Sequence, residues 1–421
     1  MKIHIDIDCF FVSAHRINNP QYCSIPLAVG GRSNLSIFDT KKQINHLSSI
    51  DGAFSSSILN NKSDQTFEEY FLDSDKKVRG IITTSSYEAR KYGIKTAIPV
   101  AEAIRYCPHL IVLPPNYPLY HKLSLQLKKL LEKELPHIEQ FSIDEFFGDI
   151  TGWIDDNEAE KFCIDLKKKI FNEIGIPVSI GIAKSKWIAK LATNAAKPDG
   201  VKYILDKNIY YFTKHIPIKD FPGIGKAYQD KLSKYNIKTL GDIKERKDLF
   251  YTWGKAGVQI YNRVCGIDNE EILITQKKKS IGLGRSFDPL FNRKEIKRRI
   301  TILSRHLTFL SIKDNHNPMT FSIKIKYQYG QSCKDFINSN RLFSELYVKE
   351  EMIKLFNKID IHPSHAIIQL NLTLSNFKEN KQITMDLLNY EKDIKKSNLT
   401  TSMQKLRDKY GIDIIKSAGE L

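Results

Sequence analysis

The sequence contains no apolar stretch long enough to cross a bilayer. Its first residues are acidic, whereas a secretory leader would begin with basic residues followed by an apolar run. These two absences argue against an integral membrane protein and against a secreted one. We therefore expect a soluble, cytoplasmic protein with no membrane partner.

Cysteine is scarce and scattered. The six cysteines form no CxxC pair, and no cysteine and histidine share a spacing suited to zinc. A disulfide framework and a structural zinc site are therefore not expected, and ordinary reduced cysteines are.

Positive charge, in contrast, is abundant. The chain has 65 lysines and arginines against 48 aspartates and glutamates, for a formal net charge of +17. So broad a basic surface favours an acidic partner, most commonly nucleic acid. With 421 residues, 41% of them hydrophobic, the chain is also long enough for several domains with cores of their own.

Composition and predicted secondary structure change along the chain. Strand and helix patterns mix up to about residue 204, which indicates an α+β domain. Within that part, residues 32–79 are rich in Ser, Asn, Asp and Lys and have only short apolar patches such as FEEYF, so we predict an inserted loop. A mostly helical region follows, and beyond a lysine-rich linker two strand-helix-strand units predict a small split sheet with helices on one side.

Two acidic segments attract attention. The stretch HIDIDCFF predicts a strand, in which side chains alternate between two faces. One face would carry Ile3, Ile5 and Ile7, and the other would carry His4, Asp6 and Asp8. Alone, this pattern is typical of a surface strand. Asp144 and Glu145, in SIDE between two apolar runs, predict a hairpin with the acids near its turn, although an ordinary acidic turn would have the same sequence.

If the two segments converge, their carboxylates would repel one another unless a cation lay between them. Several carboxylate ligands suit Mg²⁺, which is usually completed by water and substrate phosphates. In a basic protein this suggests two-metal phosphoryl transfer on nucleic acid. From these residues alone, a polymerase and a nuclease both remain open.

Five stretches, in this order, resemble the motifs of the Y-family translesion DNA polymerases, of the DinB or DNA polymerase IV group: HIDIDCFF, SYEARKYGI, FSIDEFF, GIAKSKWIAKLATNAAKPDG and FPGIGK. The resemblance runs from residue 1 to about residue 388, apart from the insertion. It implies an α+β, multidomain, right-hand polymerase fold. The implied domains are a palm (1–16 and 116–204), fingers (17–115, with the insertion 32–79), a helical thumb (205–275), a linker (276–284), a split βαβ little finger (285–380) and a tail (381–421).

The resemblance also assigns the acids. It implies that Asp6, Asp144 and Glu145 are catalytic and, with the carbonyl of Ile7, bind two Mg²⁺ ions per active site. Asp8 matches an acid that is usual in the motif but is not a principal ligand.

The nucleotide site is implied in the same way. Phe11 stands where the family has its steric gate, a side chain that clashes with a ribose 2′-OH. Tyr87 and Arg90 are three residues apart on a predicted helix and can reach one phosphate, and the resemblance adds Lys197 as a further triphosphate ligand. Without the resemblance, the Tyr-Arg pair would be an ordinary solvated face, and Lys197 would complement the dipole at a helix C-terminus.

Two segments are implied to bind DNA. PGIGK resembles a helix-hairpin-helix, in which Gly223, Gly225 and Lys226 allow backbone N–H groups to approach a phosphate. In FSIKIKY, Lys324 and Lys326 point outward from a strand, and such a face can lie along a duplex backbone.

A third segment suggests a protein partner. QITMDL resembles the peptide by which such polymerases bind the sliding clamp, through Gln382, Met385 and Leu387. A plain linker of the same composition is the alternative.

The implied function is DNA-template-directed DNA synthesis past lesions, in which a monomeric enzyme adds dNTPs to the 3′-OH of primer-template DNA. The implied domains use the whole chain, so we expect no proofreading exonuclease and low fidelity. Two alternatives remain. A metal-dependent nuclease would need a water-activating group in place of the triphosphate site, and a catalytically silent DNA- and clamp-binding scaffold would be expected to have lost acids that are all present here.

Overall fold

The computed structural model describes residues 1–39, 65–274, 277–378 and 389–420. These residues form two compact units. The first contains residues 1–31 and 65–274, and the second contains residues 32–39, 277–378 and 389–420. Within these ranges, no helix combines the length and the apolar character that a bilayer crossing requires.

The first unit mixes strands and helices. Its strands are β1 (Lys2–Ile7), β2 (Leu27–Gly31), β3 (Ile81–Ser85), β4 (Ile111–Leu113), β5 (His137–Gln140), β6 (Glu145–Asp149), β7 (Val178–Ala183) and β8 (Val201–Tyr203). Its helices are α1 (Phe10–Asn18), α2 (Phe67–Phe71), α3 (Tyr87–Lys91), α4 (Val100–Tyr106), α5 (Tyr117–Glu134), α6 (Ala159–Ile174), α7 (Lys186–Ala196), α8 (Ile209–Thr213), α9 (Lys226–Ser233), α10 (Leu240–Lys244), α11 (Lys247–Thr252) and α12 (Gly254–Cys265).

A five-stranded sheet in the order β5-β6-β1-β7-β8 lies at the centre of the first unit. Strand β1 pairs antiparallel with both β6 and β7, while β7 and β8 are parallel. Helix α7 packs across β1, β7 and β8. It comes unusually close to β7 because residue 181 is glycine. A Cβ there would overlap the backbone of Ala189 and Thr193.

A second, three-stranded sheet has the order β3-β2-β4, and its core includes Ile82, Val112 and Phe71. Phe71 belongs to α2, inside the FEEYF patch that the sequence analysis assigned to an inserted loop. That part of the prediction was wrong. Thr66 and Glu69 form a capping box that starts the helix, and the burial of Tyr70 and Phe71 holds it against the sheet.

The remaining helices of this unit, α8 to α12, share a core with α7. Buried side chains of α7 such as Ile188 and Leu191 belong to the same cluster as Leu232, Leu240 and Phe250. The helical region that was predicted as the thumb is therefore packed on the helix that also covers the central sheet.

The second unit contains the predicted little finger and tail. Its strands are β9 (Ser280–Leu290), β10 (Pro318–Tyr327), β11 (Ser332–Asn338) and β12 (Ile367–Phe377), and its helices are α13 (Arg293–Lys313), α14 (Glu345–Ile359) and α15 (Tyr390–Tyr410). The strands form an antiparallel sheet in the order β11-β10-β12-β9, with α13 and α14 packed on it. This is the predicted split arrangement. Strand β9 begins inside the predicted linker 276–284, because Ile281 and Leu283 are buried in the core.

Residues 32–39, which we call the anchor segment, complete this second unit. Ile37 and Phe38 are buried in its core. The backbone N–H of Ser286 donates to the Ser33 hydroxyl at 3.0 Å, and an Arg298 Nη2 donates to the Phe38 carbonyl at 3.1 Å. The beginning of the predicted inserted loop is thus part of the packed structure that α13 and β9 build.

The last described residues also pack into the second unit. After α15 the chain makes two short turns, and Glu420 becomes almost completely buried. Its carboxylate accepts from Arg305 Nε at 2.6 Å and from Lys349 Nζ at 2.8 Å. Arg305, on α13, is itself only 1% exposed, so the tail neutralises a charge that lies inside the unit.

Candidate active site

The two acidic segments meet at one end of the central sheet. In the register of β1 and β6, Asp6 lies directly opposite Glu145, and residues opposite each other in an antiparallel pair share a face. The backbone N–H of Ile7 donates to the carbonyl of Asp144 at 3.1 Å. The turn between β5 and β6 contains Asp144, as the hairpin interpretation of SIDE predicted.

The acidic face of β1 is covered rather than exposed. His4 and Asp6 are 0% and 6% exposed, because α7 lies over them. This helix brings two lysines to the acids. Lys197 Nζ is 2.6 Å from Asp6 Oδ1, and Lys190 Nζ donates to Glu145 Oε1. The surface-strand interpretation of HIDIDCFF is therefore wrong.

Burial and the charges of neighbouring acids raise the pKa values of Asp6 and Asp144 and so favour their neutral forms. Burial raises the pKa of Asp6 to about 7; Lys197 opposes this rise, and the charges of Asp144 and Glu145 add to it. Burial also raises the pKa of Asp144, despite a hydrogen bond from Ser142. Because the ionised forms of these carboxyl groups are disfavoured, a cation bound between them would be stabilising.

The donor set suits a hard divalent cation. Among the described residues, no group of three His, Cys, Asp or Glu side chains is arranged to hold a metal ion, and the acids contact lysines instead. The candidates nevertheless supply only oxygen atoms, from the carboxylates of Asp6, Asp144 and Glu145 and from the carbonyl of Ile7. Oxygen ligands are those that Mg²⁺ and similar ions prefer. A cation there would replace the lysines as the source of positive charge.

Phe11 lies one turn beyond these acids, on α1. Its ring stacks on Tyr120 with a centroid distance of 4.1 Å and an interplanar angle of 9°, and Tyr117 meets it edge-on at 6.1 Å. Phe10, its neighbour, is buried as expected. Phe11 remains partly exposed, so one part of a firmly held ring faces outward.

Tyr87 and Arg90 both lie on α3 and contact each other, as their spacing predicted. The guanidinium of Arg90 lies 4.8 Å from the centroid of the Tyr87 ring, and Arg90 Nε donates to the Ser85 carbonyl at 3.2 Å. The Tyr87 hydroxyl donates to Asp8 Oδ1 at 3.0 Å. Burial, followed by the nearby charge of Asp8, raises the pKa of Tyr87, so its hydroxyl stays a donor.

Sequence reasoning missed three residues of this site. Lys190 contacts Glu145, Lys186 forms a buried ion pair with Glu139 at 2.6 Å, and Ser179 donates to Asp8. A signal for the lysines was present, because residues 186 and 190 are four apart and so share a face of α7. Ser179 carried no signal that would distinguish it from other strand residues.

The candidate DNA-binding residues lie in both units. In the first, Gly223 has a φ of +95°, which side chains disfavour, and Gly225 and Lys226 form the exposed start of α9. In the second, Lys324 is exposed beside the paired Lys334, and Lys326 is partly exposed. Gln382, Met385 and Leu387, the candidate clamp-binding residues, lie outside the described residues.

Comparisons with known proteins identify the family of the chain. A family model described as the impB/mucB/samB family matches residues 5–194. The chain is 31% identical over 288 residues to the DNA polymerase IV of Vibrio parahaemolyticus. The aligned region covers 68% of this chain and 69% of that protein.

Solved structures show the same fold. A chimeric Y-family DNA polymerase made from Dbh and Dpo4 matches with a TM-score of 0.72 at 22% identity, covering 90% of this chain and 99% of that one. A structure described as the insertion ternary complex of Dbh DNA polymerase matches with a TM-score of 0.56 at 21% identity and the same coverage. The predicted multidomain α+β polymerase fold is thereby confirmed. The chain belongs to the Y-family of translesion DNA polymerases, in the DNA polymerase IV or DinB group, and is a DNA-directed DNA polymerase.

Proposed function

We propose that Asp6, Asp144 and Glu145, with the carbonyl of Ile7, hold two Mg²⁺ ions for the polymerase reaction. Enzymes of this family are metal-dependent nucleotidyltransferases. The observation that carries the assignment is the β1/β6 register, which sets Asp6 opposite Glu145 beside the turn that contains Asp144. When bound, the ions supply activation of the primer 3′-OH and stabilise the charge that develops on the phosphate oxygens.

Lys190 on α7 and Lys197, which directly follows this helix, keep the site ordered between reaction cycles. Lys197 and Lys190 each contact one acid, so the carboxylates are held close together without uncompensated repulsion. The side chain of Lys197 is 25% exposed, so it can turn from Asp6 to a phosphate of the incoming nucleotide. With Tyr87 and Arg90 it binds the triphosphate, from which pyrophosphate leaves.

Phe11 selects deoxynucleotides. A steric gate has to be rigid, because a ring that swings aside excludes nothing. The stack on Tyr120 and the edge contact with Tyr117 give Phe11 that rigidity, and α1 begins only three residues after β1, close to the acids.

DNA binding is assigned to both units. Gly223, Gly225 and Lys226 approach the backbone of primer-template DNA through N–H groups, and Lys324 and Lys326 contribute charge from the outward face of β10. The neighbour described as an insertion ternary complex supports an enzyme that holds DNA and a nucleotide together. The predicted domain boundaries, clamp binding through residues 382–387, and action as a cytoplasmic monomer stay predictions.

Primer extension with Mg²⁺ and dNTPs tests the metal assignment. The wild-type protein should extend the primer, and the double variant Asp144→Ala, Glu145→Ala should bind DNA without extending it. Asp149→Asn, at the other end of β6, is the matched control and should extend normally. Extension by the double variant would refute the metal assignment. DNA binding without extension by the wild type would indicate a silent scaffold, and shortening of the primer would indicate a nuclease.

A further inference from the structure

Asp8 joins three separate segments of the first unit. It lies just beyond β1 and is only 2% exposed. Its Oδ1 accepts from the Tyr87 hydroxyl at 3.0 Å, and the hydroxyl of Ser179 on β7 lies 3.0 Å from Oδ1 and 2.9 Å from Oδ2. Its Oδ2 also accepts from the backbone N–H of Asp199 at 2.7 Å. One buried carboxylate therefore holds a helix, a strand and a turn.

These bonds reach the proposed triphosphate ligands from two sides. Tyr87 is one of those ligands and supports the guanidinium of Arg90. Asp199 is two residues after Lys197, whose side chain contacts Asp6. The end of β1 thus fixes the turn after α7 twice, once through the side chain of Lys197 and once through the backbone of Asp199.

We propose that Asp8 is a positioning residue of the polymerase reaction, which orients Tyr87 and the Lys197 turn so that the triphosphate of the incoming nucleotide is bound. This inference rests on the proposed function of Tyr87, Arg90 and Lys197. Asp8 is not a metal ligand in this scheme, and it acts on the nucleotide only through its neighbours.

The contacts of Asp8 call for hydrogen-bond acceptors at both ends of its side chain. All three partners of Asp8 are donors, and a carboxylate accepts hydrogen bonds at both of its oxygens. An amide has one acceptor oxygen and one NH₂ group, so Asp8→Asn would set a donor against at least one of the three. Inside the protein, where water cannot replace a lost partner, such a mismatch shifts the groups concerned.

A positioning role and a merely structural role predict different kinetics. If Asp8 orients the triphosphate ligands, Asp8→Asn should raise KM for dNTP at least about tenfold, because small misplacements of binding groups are costly. The change in kcat at saturating dNTP and in Kd for primer-template DNA should each stay below about threefold. A structural defect would instead reduce the active fraction, which lowers kcat and leaves KM for dNTP unchanged.

The experiment measures steady-state single-nucleotide insertion by the full chain for Asp8→Asn, Tyr87→Phe and the double variant. Tyr87→Phe keeps the ring under Arg90 and removes the hydroxyl, which is both the partner of Asp8 and a group of the proposed triphosphate site, so it should raise KM for dNTP in the same direction. The double variant should raise KM by less than the product of the two single effects, because both changes cut the same contact. Ser124→Ala removes a buried bond from Gln140 elsewhere in the unit and should leave KM unchanged.

The outcomes separate this inference from the function on which it rests. If Arg90→Ala raises KM for dNTP and Asp8→Asn does not, the positioning role of Asp8 is refuted and the triphosphate site stands. If Arg90→Ala also leaves KM unchanged, the triphosphate assignment fails and the inference fails with it. If Asp8→Asn does not fold, Tyr87→Phe decides, and a wild-type KM in that variant overturns the proposal.

Discussion

Replacing Asp6 by Asn should make the metal-free protein more stable at neutral pH. Burial raises the pKa of Asp6 from 3.8 to about 7; Lys197 opposes this rise, and Asp144 and Glu145 add to it. An ionised Asp6 is therefore disfavoured in the folded protein relative to the unfolded chain. Asn occupies the same space without a charge, so the variant avoids that cost while losing the metal ligand.

The sign and size follow from proton linkage. Well below pH 4, Asp6 is neutral in both states, and the difference in stability between wild type and variant should be smallest there. As the pH rises toward 7, the unfolded chain releases the proton while the folded protein retains it, so the free energy of unfolding of the wild type falls. A rise of about 3 pKa units, at 1.36 kcal/mol per unit, corresponds to about 4 kcal/mol, all of it lost above pH 7. Asp6→Asn should therefore be more stable than wild type by up to about 4 kcal/mol at pH 8.

Urea unfolding followed by tryptophan fluorescence measures this difference. Trp153, Trp187 and Trp253 all lie in the first unit, so the signal reports the unit that contains Asp6. Curves are recorded from pH 4 to pH 8 with a metal chelator present. If the free energies of unfolding of wild type and variant stay parallel across that range, the argument is refuted. Adding Mg²⁺ at pH 8 should stabilise the wild type and not the variant.

Asp149→Asn is the matched control, at the far end of β6. Burial acts to raise the pKa of Asp149, but hydrogen bonds from the side chain and the backbone N–H of Thr151 outweigh it, so the pKa is lowered overall. A lowered pKa contributes stability above pH 4 that is lost as the pH falls. Asp149→Asn should therefore be less stable than wild type at neutral pH, the opposite sign from Asp6→Asn.

Three further changes test other parts of the molecule. Phe11→Ala should raise incorporation of ribonucleotides relative to deoxynucleotides at least about tenfold, measured by single-nucleotide insertion, and unchanged sugar selectivity would remove the steric gate. Phe38→Ala leaves a cavity in the core of the second unit, so protection of α13 amides from hydrogen exchange should fall by about 3 kcal/mol, whereas the mostly exposed Phe291→Ala should change it little. Glu420→Gln removes one of the two acidic partners of each of two buried cations, Arg305 and Lys349, and should cost about 2 kcal/mol in the same assay, whereas Glu350→Gln, in a surface ion pair, should cost less than about 1 kcal/mol. Equal protection in either variant and its control would contradict the burial argument.

Local patterns were enough to predict the elements that carry the site. The alternation of β1 and that of Phe321, Ile323 and Ile325 have period two, the apolar runs around SIDE are short and continuous, and each of these segments forms a strand. The hairpin also placed Asp144 near a turn without knowledge of the rest of the fold. These features depend on residues that are near one another in sequence.

The surroundings of the acids could not be predicted in the same way. Asp6 and Lys197 are 191 residues apart, and nothing in β1 indicates that a helix will cover its polar face. The surface interpretation failed because burial depends on which element packs where, and a buried carboxylate with a lysine partner has the same sequence as an exposed one. The hydrogen bonds of Asp8 left no local signal either, since its donors come from three distant segments.

The anchor segment was missed for a related reason. Its neighbourhood is polar and rich in serine and asparagine, which is the composition of loops, and only Ile37 and Phe38 hint at a core. Their partners lie some 260 residues away, on α13 and its neighbours. A contact of that range leaves no periodic pattern in either segment.

The anchor segment also means that the second unit is discontinuous along the chain. A recombinant fragment that starts at residue 277 would lack Ile37 and Phe38 and would expose the apolar surface that they cover. If this unit were exchanged between relatives by a single crossover at the linker, the anchor segment would not be transferred with it. A graft that transplants the unit intact therefore needs two coding segments, and the shorter one encodes the anchor segment.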